Sequence, residues 1–371
     1  MSLVTKSLDP AGIKIFTDRT VEIGEPFFRP GTRMNPFPVN LMFSGGGLGD
    51  YICWTPAVQW IAENCPYVHG RVFAPAFFFE LAQHWFVGYP NWKVFLIDDY
   101  ASKCGRDVGT IGPDAMGRAQ LVNALGAHLL DLGFGYFPNR SPVPPEYNYY
   151  PDLTDLTEEG LPSSLSLLKD KYVVFTPGGT SPVRTVPGHY WNPVIDYVRS
   201  QGLTPVLLGK SVLSSTHRST FPADMDVLNC IDLRDRTSLL EVAVIMKYAY
   251  ATLGLDNGLL HLAACTGGRF IFTYNVVRPD HRKPRMRHNG RMIELFLSKE
   301  ELPCAGCQSE MSILLTHDFK RCLYADQDRK EAESAGQPYI APKCIDMLFG
   351  DWLGKKDAPR WIAALKELTV L

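Results

Sequence analysis

A chain of 371 residues is too long for one ordinary core and comfortable for two domains. With 46% hydrophobic and 20% charged residues its composition is that of a globular protein and excludes a disordered one. A formal net charge of −2 gives no general attraction to nucleic acid, and no run of about 18 apolar residues is present, so no membrane span is expected.

The opening "MSLVTKSLDPAG" lacks the apolar stretch of a signal peptide. The nine cysteines are odd in number and mostly scattered, which fits a reducing cytoplasm better than a disulfide framework. Residues 1–37, with "IKIF", "TVEIG" and "PFFRPGTRMNPFP", read as a small N-terminal β arm and an extended strap. Beyond them, short apolar runs alternate with helical stretches. "VNLMF", "GRVFA" and "KVFLID" lie in the first half, and "KYVVFTP", "TPVLLG", "YATLGL" and "RFIFTY" in the second. Segments such as "PAVQWIAENC" and "HYWNPVIDYVRSQG", with apolar residues three and four apart, fall between them. This rhythm predicts an α/β protein of parallel sheets covered by helices. The proline-rich "FPNRSPVPPEYNYYPD" puts the break between Tyr149 and Asp170. A first α/β domain then spans 38–165, a second 170–350, and 351–371 forms a C-terminal helix.

The halves echo each other, each with an apolar strand running into a glycine turn. The first turn, "FSGGGLGD", contains Gly46, Gly47 and Gly49 and ends on Asp50. It is a poor dinucleotide fingerprint, because Asp50 stands where a small residue is needed and would oppose a pyrophosphate. No Gly-Lys-Ser/Thr follows, so it is not a P-loop either. The turn reads as built for a neutral partner within reach of a carboxylate. The plain alternative is that Asp50 caps a helix beginning near Tyr51, kinked at Pro56.

The second turn, "TPGGTSPVRTVPGHYW", has no acid before Asp196. It offers backbone N–H groups, Thr180, Ser181 and the cation Arg184, a set that suits phosphate; a solvated turn with an incidental arginine is the alternative. "LGLDNGLLHLAACTGG" is the most specific stretch. A strand ends at Leu255, Asp256 or, better placed, Asn257 caps the next helix, and Gly258 lets a ligand approach its first turn. His261 lies four residues after Asn257 on the same helical side. The exposed N–H groups of that helix form an anion site, and Asp256 is placed to accept hydrogen bonds from sugar hydroxyls.

Late in the chain Cys304, Cys307, Cys322 and Cys344 are spaced C-x2-C-x14-C-x21-C. The first pair brings two sulfurs together on a tight turn, and four thiolates suit one structural zinc or iron ion. Free buried thiols are the alternative. The basic stretch "RPDHRKPRMRHNGR", Arg278 to Arg291, meets an anionic ligand or forms a solvated loop.

With these residues in hand the chain resembles glycosyltransferase family 9, the ADP-heptose transferases. "GGLGDYICWTPAVQWI", "FTPGGTSPVRTVPGHYW" and "LDNGLLHLAACTG" occur in the family's order. The resemblance implies a GT-B architecture: two Rossmann-like parallel-sheet domains facing a cleft, acceptor half first and nucleotide half second, with the last helix returning to the first domain. It implies Asp50 as general base, Arg184 in place of the family's usual Lys, and Asp256, Asn257, Gly258 and His261 as the donor-binding motif, with Asn257 where Ser or Thr is frequent. The four cysteines resemble the iron-binding finger of autotransporter heptosyltransferases. The implied partners are an ADP-sugar donor and either a protein serine or a lipopolysaccharide core hydroxyl as acceptor, with no catalytic divalent metal and homo-oligomerisation left open. Rival readings are a GT-B nucleotide-sugar epimerase, a non-catalytic sugar-nucleotide-binding protein and, against the broken fingerprint, a dinucleotide-dependent oxidoreductase.

Overall fold

The computed structural model describes residues 2–3, 19–20, 37–43, 47–64, 68–104, 110–111, 149–179, 182–210, 224–284, 286, 288, 290–309 and 322–369. Gly46, Thr180 and Ser181, most of the N-terminal arm and part of the basic stretch lie outside them. The chain divides into two compact units, Met1–Asp152 and Leu153–Leu371.

In the first unit β1 (Ser2–Leu3) pairs antiparallel with β2 (Arg19–Thr20), the described part of the expected arm. The strands β3 (Phe37–Met42), β4 (Val68–Ala74), β5 (Trp92–Leu96) and β6 (Thr110–Ile111) form a parallel sheet in the order β5-β4-β3-β6. Helix α1 (Leu48–Asn64) follows the first glycine turn and continues through Pro56. The helices α2 (Ala76–Phe86) and α3 (Tyr100–Lys103) complete the connections. Phe43, Phe73 and Phe78 are fully buried, and the rings of Phe43 and Tyr51 both pack on Phe78, at 5.0 and 5.2 Å. This aromatic cluster flanks the two ends of the turn and ties it to the core.

The second unit starts with α4 (Ser163–Ser166) and holds six parallel strands: β7 (Tyr172–Thr176), β8 (Thr204–Leu207), β9 (Ile231–Asp232), β10 (Ala251–Leu255), β11 (Arg269–Thr273) and β12 (Arg291–Leu295). Their order is β12-β11-β10-β7-β8-β9, that of a doubly wound Rossmann sheet. Every residue of β7 and β10 is buried, as strands covered on both faces require, and this is why they read as unbroken apolar runs. The covering helices are α5 (Gly188–Ser200), α6 (Leu239–Lys247), α7 (Gly258–Cys265), α8 (Pro279–Arg282), α9 (Ala325–Ser334), α10 (Lys343–Phe349) and α11 (Pro359–Thr369). β7 and β10 lie side by side, and the chain leaves them in opposite directions. The resulting crevice at their carboxyl ends is where sheets of this order take ligands.

The unit boundary falls earlier than expected. Residues 153–165 pack with the second unit rather than the first. Leu153 is fully buried and its N–H bonds to the Cys265 carbonyl at 2.9 Å, while Lys247 Nζ holds the carbonyls of Thr154 and Leu156 at 2.5 and 2.6 Å. The C-terminal helix α11 packs within the core of the second unit. Trp361, fully buried, packs against Trp191 at 4.8 Å and Phe349 at 5.1 Å, and Leu365 and Leu368 join the same core. The apolar face of this helix is satisfied inside the unit that precedes it in sequence.

Candidate functional site

The second glycine turn leaves β7 at Thr176 and folds back tightly. A Cβ at Gly179 would stand 2.7 Å from the carbonyl oxygen of Arg184, so only glycine allows this return. The chain then enters a single 3-10 turn, Pro182–Arg184. Asn257, at the end of the neighbouring β10, holds the arrangement together. Its amide nitrogen donates to the carbonyls of Thr176 and Gly178 at 2.9 and 3.1 Å, and its Oδ1 accepts from the N–H groups of Leu259 and Leu260 at 3.0 and 3.1 Å. Asn257 is the N-cap of α7, as the sequence indicates. The same bonds correct the expectation of exposed N–H groups there: those of Leu259 and Leu260 are satisfied by the cap, so α7 does not offer them to an anion.

Asp256 also departs from its expected role. Its side chain is 2% exposed, too deep to meet a sugar hydroxyl directly. Oδ2 lies 3.6 Å from Nη1 of Arg184 and 3.8 Å from Nη1 of Arg282, and Oδ1 lies 3.3 Å from Nε2 of His261. Burial pushes the Asp256 carboxyl up, but Arg282, the His261 contact and Arg184 together outweigh it and hold the group well below the usual carboxylate range. His261 is 1% exposed, wedged between this carboxylate and the ring of Phe272 at 5.2 Å. It is a buried partner of Asp256, not a side chain open to a ligand. Gly258 opens α7 beside them.

Arg184 and Arg282 therefore share one anchor. Their side chains are 19% and 23% exposed, so neither is sealed off from solvent. The sequence reading did not single out Arg282. It sat unresolved inside the basic stretch, 26 residues beyond its partner Asp256, and the signal that exposes it is the strand order that makes β10 and β11 neighbours.

In the first unit, Gly47 rather than Asp50 precedes the helix. Helix α1 starts at Leu48, the Tyr51 N–H bonds to the Gly47 carbonyl at 3.2 Å, and Asp50 lies in the first turn with Gly49 before it. One oxygen of Asp50, Oδ2, accepts the Gly47 N–H at 2.8 Å. This bond closes the turn and fixes the carboxylate, half-buried, at its mouth. A helix beginning near Tyr51 with Asp50 as its cap is thus corrected by one turn.

The late cysteines draw together in the second unit. Gly306 adopts φ +70°, a left-handed turn within "CAGC" that glycine supplies without strain. Burial pushes the Cys307 and Cys322 thiols up to about 11, raises Cys304, and drives Cys344 well above the thiol range with Cys322, Cys304 and Cys307 adding to it. All four are free thiols. They share one neighbourhood, yet among the described residues no group of three or more His, Cys, Asp or Glu is closed to metal-binding spacing. Asn275 connects this neighbourhood to the arginine turn, another residue the sequence reading missed. Its Nδ2 donates to the Val183 carbonyl at 2.6 Å and contacts Cys344 Sγ at 3.8 Å. Val183 in turn packs with Val276, Val277, Cys307 and Cys322.

Among the described residues no helix is long and apolar enough to cross a membrane. Residues 141–315 match the family model of glycosyltransferase family 9 (heptosyltransferase), a segment containing Arg184, Asp256, Arg282 and Cys304. No curated protein matches the sequence. Among solved structures, the iron-containing dodecameric glycosyltransferase TibC from enterotoxigenic E. coli H10407 aligns with TM-score 0.60 at 16% identity, over 96% of this chain and 87% of its own. TibC in complex with ADP-D-β-D-heptose aligns with TM-score 0.58 at 16% identity, over 96% of this chain and 84% of that one. ADP-heptose lps heptosyltransferase II of E. coli aligns with TM-score 0.50 at 14% identity, over 71% of this chain and 92% of its own. At these identities the likeness is one of fold, and it agrees with the two parallel-sheet α/β units found here.

Proposed function

We propose that the chain, whose residues 141–315 match the glycosyltransferase family 9 model, is an inverting enzyme of that family moving heptose, or a related sugar, from an ADP-sugar to a hydroxyl. The acceptor hydroxyl belongs to a protein serine or a lipopolysaccharide core sugar. The observation that carries this reading is the anchoring of Arg184 on Asp256 at the carboxyl ends of β7 and β10. A guanidinium fixed there, and not sealed off from solvent, suits a diphosphate leaving group.

In this reading Asp50 takes the proton of the acceptor hydroxyl, whose oxygen attacks the anomeric carbon opposite the departing diphosphate. The bond to the diphosphate breaks, its electron pair leaves on the phosphate oxygen, and Arg184 stabilises the charge that develops. One displacement inverts the anomeric centre. No divalent ion takes part in this account. Asp256 and Asn257 position the cation and the glycine turn, and Thr180 and Ser181 contribute donors from the turn itself.

Cys304, Cys307, Cys322 and Cys344 are the residues that would hold one structural metal ion, iron or zinc. The fit rests on an all-thiol donor set and on the Gly306 turn between the first two sulfurs. A bound metal would favour the thiolates that burial disfavours and would clamp the segment beneath Val183. The odd, scattered cysteines of the sequence are the ground for proposing a cytoplasmic setting. TibC, described as dodecameric, makes a homo-oligomer the arrangement to look for.

A thermal-shift panel of ADP-, GDP- and UDP-sugars tests the donor. ADP-heptose at about 100 times its dissociation constant stabilises by about 2.7 kcal/mol; stabilisation by another nucleotide alone rejects the ADP reading. Elemental analysis of protein purified without chelator tests the metal. We expect about one iron or zinc per chain, lost in Cys304→Ser, whereas a folded metal-free protein with four titratable thiols rejects it.

A further inference from the structure

The basic stretch that the sequence left without a role sends Arg282 onto the buried carboxylate that anchors Arg184. Asp256 ends the central strand β10, Arg184 follows β7 on one side, and Arg282 follows β11 on the other. Three adjacent strands thus deliver two guanidinium groups and one carboxylate to one point. One negative charge between two positive ones leaves the trio with a formal excess of one positive charge. Arg282 is also held in place. The Lys283 N–H closes α8 onto the Pro279 carbonyl at 2.7 Å, and the Lys283 side chain pairs with Glu294 on β12.

A second observation points to a ligand. Tyr274, directly after β11, is fully buried, and its hydroxyl has no hydrogen-bond partner among the described residues. It lies within electrostatic reach of Asp256 and Arg282. A buried hydroxyl without a partner is costly unless something else satisfies it. Two of the helix N–H groups that would otherwise receive an anion, those of Leu259 and Leu260, are taken by Asn257, which leaves more of the work to side chains.

We infer that Arg282 is a second cation for the donor's diphosphate, gripping it from the β11 side while Arg184 grips it from the β7 side. Asp256 is the positioning residue that keeps the two guanidinium groups apart and aimed. This rests on the donor reading above. Two forks on a diphosphate divide its charge, and the grip strengthens as the sugar leaves and the charge grows.

Calorimetry with ADP and with adenosine, on wild type, Arg282→Gln and Arg282→Lys, tests it. Arg282→Gln lowers ADP affinity roughly tenfold or more and leaves adenosine affinity unchanged. Arg282→Lys, which keeps the charge and loses the fork, falls between the two. If Arg282→Gln does not fold, Arg282→Lys carries the comparison by the same ratio. A purely structural role for Arg282 would shift both affinities together, and an unchanged ratio of ADP to adenosine affinity in a folded variant overturns the assignment alone. Wild type that fails to prefer ADP over adenosine overturns the donor reading and this inference with it.

Discussion

Both units contain the same sequence of events, a parallel strand, a glycine turn and a helix, yet the two turns carry opposite charge. After β3 the chain enters α1 at once, and Asp50 in its first turn folds back to accept the Gly47 N–H. After β7 it passes through the Pro182–Arg184 turn before the next helix and presents an arginine. The first arrangement holds a carboxylate by a local bond, from the Gly47 N–H three residues away. The second holds a cation through partners from two other strands, Asp256 and, through the Val183 carbonyl, Asn275. A proton acceptor needs one free oxygen and access. A grip on a diphosphate needs fixed positive charge, and fixing positive charge beside a sheet needs a buried counter-ion.

The sharpest way to break this comparison is to neutralise the first turn. Asp50→Asn keeps the shape and can still accept from Gly47, so the fold and donor affinity stay as they are. Transfer falls by roughly 10²–10⁴ if the carboxylate is the base. Steady-state rates of the folded variant within a few-fold of wild type would remove Asp50 from the mechanism.

The second unit is tested through its anchor. Asp256→Asn leaves two guanidinium groups without their shared carboxylate and costs on the order of 3 kcal/mol in denaturant unfolding. The pH dependence has a definite sign. The folded-state pKa lies below the unfolded value, because Arg282, His261 and Arg184 together overcome burial. The stabilisation is thus fully present above the unfolded carboxyl value of about 4. It is lost only as pH falls through the depressed value. The gap between wild type and Asp256→Asn should be flat from about pH 5 to 8 and close in strong acid. A gap that varies across neutral pH would place the titrating group elsewhere.

How much of this was legible beforehand follows from the range of each interaction. The strand rhythm, the two glycine turns and the Asn257 cap are local, and local spacing reveals them. The burial of His261 was not legible because burial is a tertiary property; nothing in "DNGLLHLAAC" says that Phe272 closes over the ring. Asp256 read as a sugar contact because its partners, Arg184 and Arg282, stand 72 and 26 residues away. The last helix has no motif of its own, and only the tertiary packing shows Trp361 against Trp191 and Phe349. Asn275 follows a strand with no motif around it, and only the sheet order places it beneath Val183.

That residue gives the smallest effect. Asn275→Ala frees the Val183 carbonyl and removes the contact to Cys344, and should cost about 1–2 kcal/mol of stability. If the cysteine neighbourhood supports the arginine turn, the same variant weakens ADP binding a few-fold, measured by calorimetry. Lost stability with unchanged ADP affinity would confine the cysteines to a role in folding.

The division of labour between the turns is tested most directly by measuring ADP affinity and transfer rate side by side in Asp50→Asn and Arg184→Ala. The account predicts that Asp50→Asn binds ADP as wild type does and fails in transfer. Arg184→Ala should lose roughly 1.5–3 kcal/mol of ADP binding. Equal loss of ADP affinity in both variants, or unchanged affinity in Arg184→Ala, would contradict it.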